Sequence, residues 1–183
     1  IQQDGELDGT IQVNGSEAYT LRYQPTDGNI STSGDEFLDQ SSDPSIALQL
    51  RAENPDDPDS DNITLHADRS VASLSASRQS SNSEFDLDGN TLTVDGNTTV
   101  SSGEVRNSSG DLAEIDGQGF AVEGGTIDGD GNGGVALTSS SGTFEVTDGE
   151  VEGSDIDADG AFEATGGTLD GISLAAAGDA EIT

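Results

Sequence analysis

The sequence predicts an all-β chain, with an antiparallel, sandwich-like unit over residues 1–84 followed by a short β-solenoid over residues 85–183. Three observations carry that prediction. Apolar and polar residues alternate in the first half, the two-residue period of a half-buried strand. In the second half Val, Ile, Leu and Phe recur at fixed offsets from glycine about every 20 residues. Apolar residues make up only 30% of the chain, with five Phe and two Tyr. The core must therefore be thin and elongated, or completed by neighbouring subunits. The competing architecture is a single Gly-rich antiparallel sandwich or jelly roll.

The first elements are strands. Ile11 and Val13 alternate with polar residues, Asn14-Gly15 supplies a turn, and Tyr19, Leu21 and Tyr23 alternate again. Asn-Gly between alternating runs predicts an antiparallel hairpin. Ile46, Leu48 and Leu50 form a third strand, residues 54–61 an acidic proline-bearing loop, and Ile63 with Leu65 a fourth strand. Residues 67–83 are ambiguous, because Val71 and Leu74 suit a helix while the many serines do not.

The second half repeats. Residues 98–105, 120–127, 144–151 and 162–169 share one frame: apolar or Thr, any residue, Val or Ala, two polar or small residues, Gly, any residue, aliphatic. A further copy opens at Ala180, and Phe85 to Leu92 reads as a leading strand in the same frame. Each unit is too small to bury its own inner face. Stacking the units turns one inward Phe or Val per turn into a continuous ladder, with Asp, Glu and Ser outward. Glycine belongs at the corners, where φ is positive or coils approach closely. On these repeats the segment resembles the parallel β-helix proteins, a class that includes viral tailspikes, adhesins and polysaccharide lyases. The resemblance covers about half the chain and implies four to five stacked coils.

Charge bounds the setting. Five Arg and no Lys stand against 37 acidic residues, for a net charge of -32. Such a chain repels itself in dilute salt. At molar salt the Debye length falls to roughly 3 Å and the repulsion is screened. An acidic, Lys-free chain with small apolar residues is similar to the secreted surface proteins of haloarchaea, which implies a molar-salt environment. A nucleic-acid partner needs clustered Lys and Arg, and none is present. No stretch approaches the roughly 20 apolar residues of a membrane-spanning helix. Cysteine is absent, so no disulfide braces the fold. The chain opens on Ile1, for which removal of a secretory signal is the simplest account. Five of nine asparagines (Asn14, Asn29, Asn62, Asn97 and Asn107) begin N-glycosylation sequons. Together these features predict an extracellular, cell-surface or virion-surface location.

Two segments invite a metal. Asp128, Asp130 and Asn132, and then Asp155, Asp157 and Asp159, place oxygen ligands at alternate positions before glycine, as a calcium loop does. The position of the closing bidentate glutamate holds Ser139 in one and Gly166 in the other. Structural Ca²⁺ and plain solvated turns are the two readings. No other cofactor is predicted.

Catalysis has little to stand on. The repeats contain one Arg, no Lys and no His, and no serine sits in a nucleophile elbow. The one histidine, His66, reads as an exposed strand-edge residue. The predicted function is therefore a non-enzymatic subunit of an extracellular assembly that binds copies of itself, in part by strand addition. The alternative is an adhesin or receptor-binding module for cell-surface glycans or an S-layer.

Overall fold

A computed structural model describes residues 2–3, 19–23, 46–50, 62–77, 84–129 and 133–183. The described residues form strands and turns, without helix, wound as a parallel β-solenoid of about five turns. Three strands lead in: β1 (Gln2–Gln3), β2 (Tyr19–Tyr23) and β3 (Ile46–Leu50). The next two turns comprise β4 (Asn62–Thr64), β5 (Arg69–Val71) and β6 (Ser73–Ser77), then β7 (Glu84–Asp86) and the long β8 (Thr91–Ser102). Then come β9 (Glu104–Arg106) with β10 (Ala113–Val122), and β11 (Thr126–Asp128) with β12 (Val135–Ser139) and β13 (Phe144–Val146). The last are β14 (Glu150–Glu152), β15 (Ser154–Ala158) and β16 (Phe162–Ala164), then β17 (Thr168–Asp170), β18 (Ser173–Ala176) and β19 (Ala180–Ile182).

Each turn gives one short strand to a six-stranded sheet and two segments to a thirteen-stranded sheet. In β8 and β10 those two segments are one continuous strand; in later turns a glycine-bearing bend separates them, as between β12 and β13. Strands of the six-stranded sheet begin at residues 62, 84, 104, 126, 150 and 168, so the turns span 22, 20, 22, 24 and 18 residues.

The inner residues form three sets of ladders. Ile63, Phe85, Val105, Ile127, Val151 and Leu169 are consecutive partners in one sheet. Leu92, Ile115, Leu137, Ile156 and Leu174 are partners on the second side. On the third side Thr98, Phe120, Phe144, Phe162 and Ala180 follow in register, which is the alignment the repeat frame predicts. The rings of Phe120 and Phe144 stack at 5.0 Å, and those of Phe144 and Phe162 at 5.6 Å. Burying one ring over the next at each turn removes apolar area from water and adds offset stacking.

Two expectations about strands are corrected. β2, β3 and β6 pair in parallel and continue the thirteen-stranded sheet, so they are not parts of an antiparallel unit. Parallel pairing needs a long connection in place of a hairpin, and the connections here are long enough: β2 and β3 are separated by residues 24–45. The proposed hairpin around Asn14-Gly15 lies outside the described residues. Phe85 also belongs to a different side from the one its likeness to the frame suggests, since it pairs with Ile63 and Val105 rather than joining the Phe120 ladder. The ambiguous stretch after Ala67 is strand, β5 and β6, with Val71, Leu74 and Ala76 buried. Strands on both sides of residue 84 join the same two sheets.

Glycine columns explain the corners. Gly103, Gly125, Gly149 and Gly167 occupy one corner of successive turns. A Cβ on Gly149 would sit 2.7 Å from the Gly125 carbonyl oxygen, and one on Gly125 3.0 Å from that of Gly103. Coils this close leave no room for a side chain. Gly103 and Gly167 also have φ of 75° and 74°, a region that L side chains avoid.

One buried group breaks the apolar pattern. Thr98, fully buried and in register with Phe120, has a hydroxyl with no hydrogen-bond partner among the described residues. A desolvated, unpaired hydroxyl costs about 1–3 kcal/mol. Thr98→Val keeps the shape and removes that penalty. It is expected to raise the unfolding free energy by about 1 kcal/mol, read by urea denaturation in molar salt; a loss of stability would mean that the hydroxyl is paired.

Candidate functional site

With the ladders inward, the chemistry of the chain lies on its outer faces and corners. On the six-stranded sheet, Glu84 is the in-register partner of Glu104, and Asp86, Arg106, Asp128, Glu152 and Asp170 follow one another turn by turn. Glu145, Glu163 and Glu181 form a second like-charged file. The side carrying β10, β12, β15 and β18 is built differently. There Glu114 and Asp116 face Ala136 and Thr138, which face Asp155 and Asp157, which in turn face Ser173 and Ala175. Acidic residues occupy alternate turns, which doubles their separation from the strand spacing of about 4.8 Å to about 9.6 Å.

Arg106 sits between two acids of the first file, Asp86 and Asp128. One of its guanidinium nitrogens is 2.9 Å from a Glu84 carboxylate oxygen and 3.7 Å from one of Asp86. Glu104, on the adjacent outward file, has a carboxyl held above its ordinary value of 4.5. Partial burial is the main cause and the negative Glu84 and Asp128 reinforce it, while Arg106 opposes and Glu152 adds to it. The folded state therefore holds this proton more tightly than the unfolded chain does. The resulting penalty is absent below pH about 4.5, grows as pH rises through the elevated folded value, and is complete above it. Glu104→Gln is expected to stabilise the fold at pH 7 and to lose that advantage by pH 4. Paired denaturation midpoints of the two proteins at both pH values measure this; an equal difference at both would deny the shift.

A second constellation stitches the corners that follow β4, β7 and β9. Asp86, 7% exposed, accepts hydrogen bonds from the backbone N–H of Asp88 and of Ser108, one turn on. Asn107, 2% exposed, accepts from the N–H of Gly89 (2.9 Å) and Ser109 (3.1 Å), and its amide donates to the carbonyls of Asp111 (2.7 Å) and Gly134 (2.8 Å). The Asn90 amide donates to Leu65 and Leu87, and the Asp68 carboxylate accepts from the N–H of Thr91. These side chains tie the corner backbone of one coil to the next, where no strand pairing reaches it.

The predicted sites divide accordingly. Asp155 and Asp157 are the outward residues of β15, alternating with buried Ser154, Ile156 and Ala158, and exposed Asp159 follows the strand. Alternate residues of an extended strand lie about 6.6 Å apart and point the same way without converging, so these three carboxylates do not form a calcium loop. Asp128 is outward on β11 between Arg106 and Glu152, while Asp130 and Asn132 lie outside the described residues. Among the described residues, no group of three or more His, Cys, Asp or Glu side chains is placed to hold a metal ion. His66 is exposed.

Of the sequon asparagines, Asn14 and Asn29 lie outside the described residues, and Asn62 opens β4. Asn97 is exposed on β8. Asn107 is a buried corner residue whose amide nitrogen already makes two hydrogen bonds, so the fold leaves it no position for a glycan. Sequence reading missed its structural role, and that of Asp86 and Asn90. The available signal was Asp, Asn and Ser around glycine at each corner, residues that bond to nearby backbone.

Among the described residues no helix is long and apolar enough to cross a membrane. No protein-family model, curated protein or solved structure matches the chain.

Proposed function

We propose that the chain is a non-enzymatic structural subunit of an extracellular assembly, a filament, appendage or virion exterior of a halophilic archaeon or its virus. The observation that carries this reading is the coil edge formed by β17, β18 and β19. Among the described residues each of these strands pairs on one side only, with β14, β15 and β16 respectively. Leu169, Ile172, Leu174 and Ala176 are only partly buried against the core, and Ile182 is 66% exposed. Unpaired strand edges over a half-covered apolar layer are a template for another strand layer. A second copy is the occupant proposed, because its strands can extend the parallel register turn by turn. The acidic files on the outer faces suit a particle that stays dispersed in molar salt. A glycan-recognising spike has less support, since Phe85, Phe120, Phe144 and Phe162 all lie inside and offer no surface for stacking a sugar.

Ile182→Asp tests the edge. The side chain is exposed, so strand content by circular dichroism should stay unchanged in 4 M NaCl. Negative-stain microscopy is expected to show assemblies of the parent protein and none of the variant. A variant that assembles as the parent does would exclude this edge as the contact.

A further inference from the structure

The geometry points to Asn97 as an N-glycan acceptor, its first sugars lying along a glycine-floored groove across the next two turns. In a living cell this use rests on the extracellular location proposed above.

The local backbone presents the asparagine. Val94 pairs with Gly117 and Asn97 with Gly119, so β8 spends three steps where β10 spends two. That bulge bends the strand and re-aims its side chains. Gly96 permits it, because a Cβ there would meet the Ala72 carbonyl oxygen at 2.7 Å. Beyond the bulge Thr98 is buried, while Asn97 and Thr99 alternate with it on the outer side. The acceptor amide and the hydroxyl of its sequon thus share one accessible face, as the two-residue period requires. The exposed Asn97 amide makes no hydrogen bond among the described residues, in contrast to the four bonds of the Asn107 side chain.

The neighbouring turns leave space for the sugar. Asn97 Oδ1 lies over Gly119, 3.2 Å from where a Cβ would be, and that Cβ would lie 3.6 Å from the Cα of Gly142 in the following turn. Gly119 and Gly142 therefore floor the near end of a shallow groove that starts at Asn97, and Thr99, Ala121, Thr143 and Glu145 line the rest. Hydroxyls and a carboxylate beside two glycines and the small Ala121 suit a polar, hydroxyl-rich occupant.

The test imposes secretion, so that it does not depend on where the natural protein resides. The full chain, carrying a secretion signal, is expressed in a halophilic archaeon that N-glycosylates its exported proteins, and the folded product is mapped by tandem mass spectrometry. A glycan is expected on Asn97 and none on Asn107, and Asn97→Gln should remove that added mass with circular dichroism unchanged. An unmodified Asn97, or a glycan on Asn107 of the folded protein, would overturn the inference. Because export is imposed, that result leaves the structural-subunit reading standing; that reading has its own test in the Ile182→Asp variant.

Discussion

Phe144→Ala is expected to lower the unfolding free energy by about 3–5 kcal/mol, the range for truncating a buried aromatic. The ring is fully buried and lies between two others, with Phe120 at 5.0 Å and Phe162 at 5.6 Å. Its removal leaves a cavity between turns and ends stacking on both sides. The surrounding backbone cannot close the gap, because Phe144 pairs in register with Phe120 and Phe162 and glycine corners already hold the coils in contact. Against a typical total of about 5–15 kcal/mol, the loss is at least about a fifth of the stability and can approach all of it. Guanidinium unfolding in molar NaCl measures it. A cost below about 1 kcal/mol would mean that the ring is not part of a continuous inner ladder.

Removal of salt is expected to act more broadly, unfolding or dissociating the protein well below 1 M NaCl. The net charge is -32, but the positions of the charges matter more than the total. Glu84–Glu104, Asp128–Glu152, Glu152–Asp170, Glu145–Glu163 and Glu163–Glu181 are like-charged pairs in direct register. Neighbouring parallel strands are about 4.8 Å apart. Two unit charges at that distance repel by about 0.9 kcal/mol in water without salt. The Debye length is about 3 Å at 1 M, shorter than one coil, and about 10 Å at 0.1 M, spanning two. High salt therefore silences each pair, whereas low salt restores them together with longer-range repulsion along the file. Circular dichroism across a NaCl series from 4 M to 0.1 M, with divalent ions chelated, reads the outcome. An unchanged β signal would remove the halophile reading.

How much of this the sequence made legible depends on what periodicity can distinguish. The Phe120, Phe144 and Phe162 ladder could be aligned because its frame recurs with a glycine and an aliphatic residue at constant offset, and stacked coils require that constancy. Strand direction could not be read from Tyr19, Leu21 and Tyr23 or from Ile46, Leu48 and Leu50, since parallel and antiparallel strands share a period of two. The same degeneracy explains Asp155, Asp157 and Asp159: alternate carboxylates describe both a calcium loop and the wet face of a strand. The intervening Ser154, Ile156 and Ala158 decide for the strand, because each faces the core. Asn107 begins a sequon by pattern, yet Ser109 and Gly110 behind it also suit a turn that draws the asparagine side chain onto the backbone. Only the placement of the next coil, with the Gly134 carbonyl within 2.8 Å of the amide, selects the second role.

Sedimentation equilibrium of the full chain in 4 M NaCl tests the structural-subunit reading most directly. Species of two or more multiples of 18.6 kDa, growing with protein concentration, are the predicted result. A single species of 18.6 kDa at every concentration would contradict it.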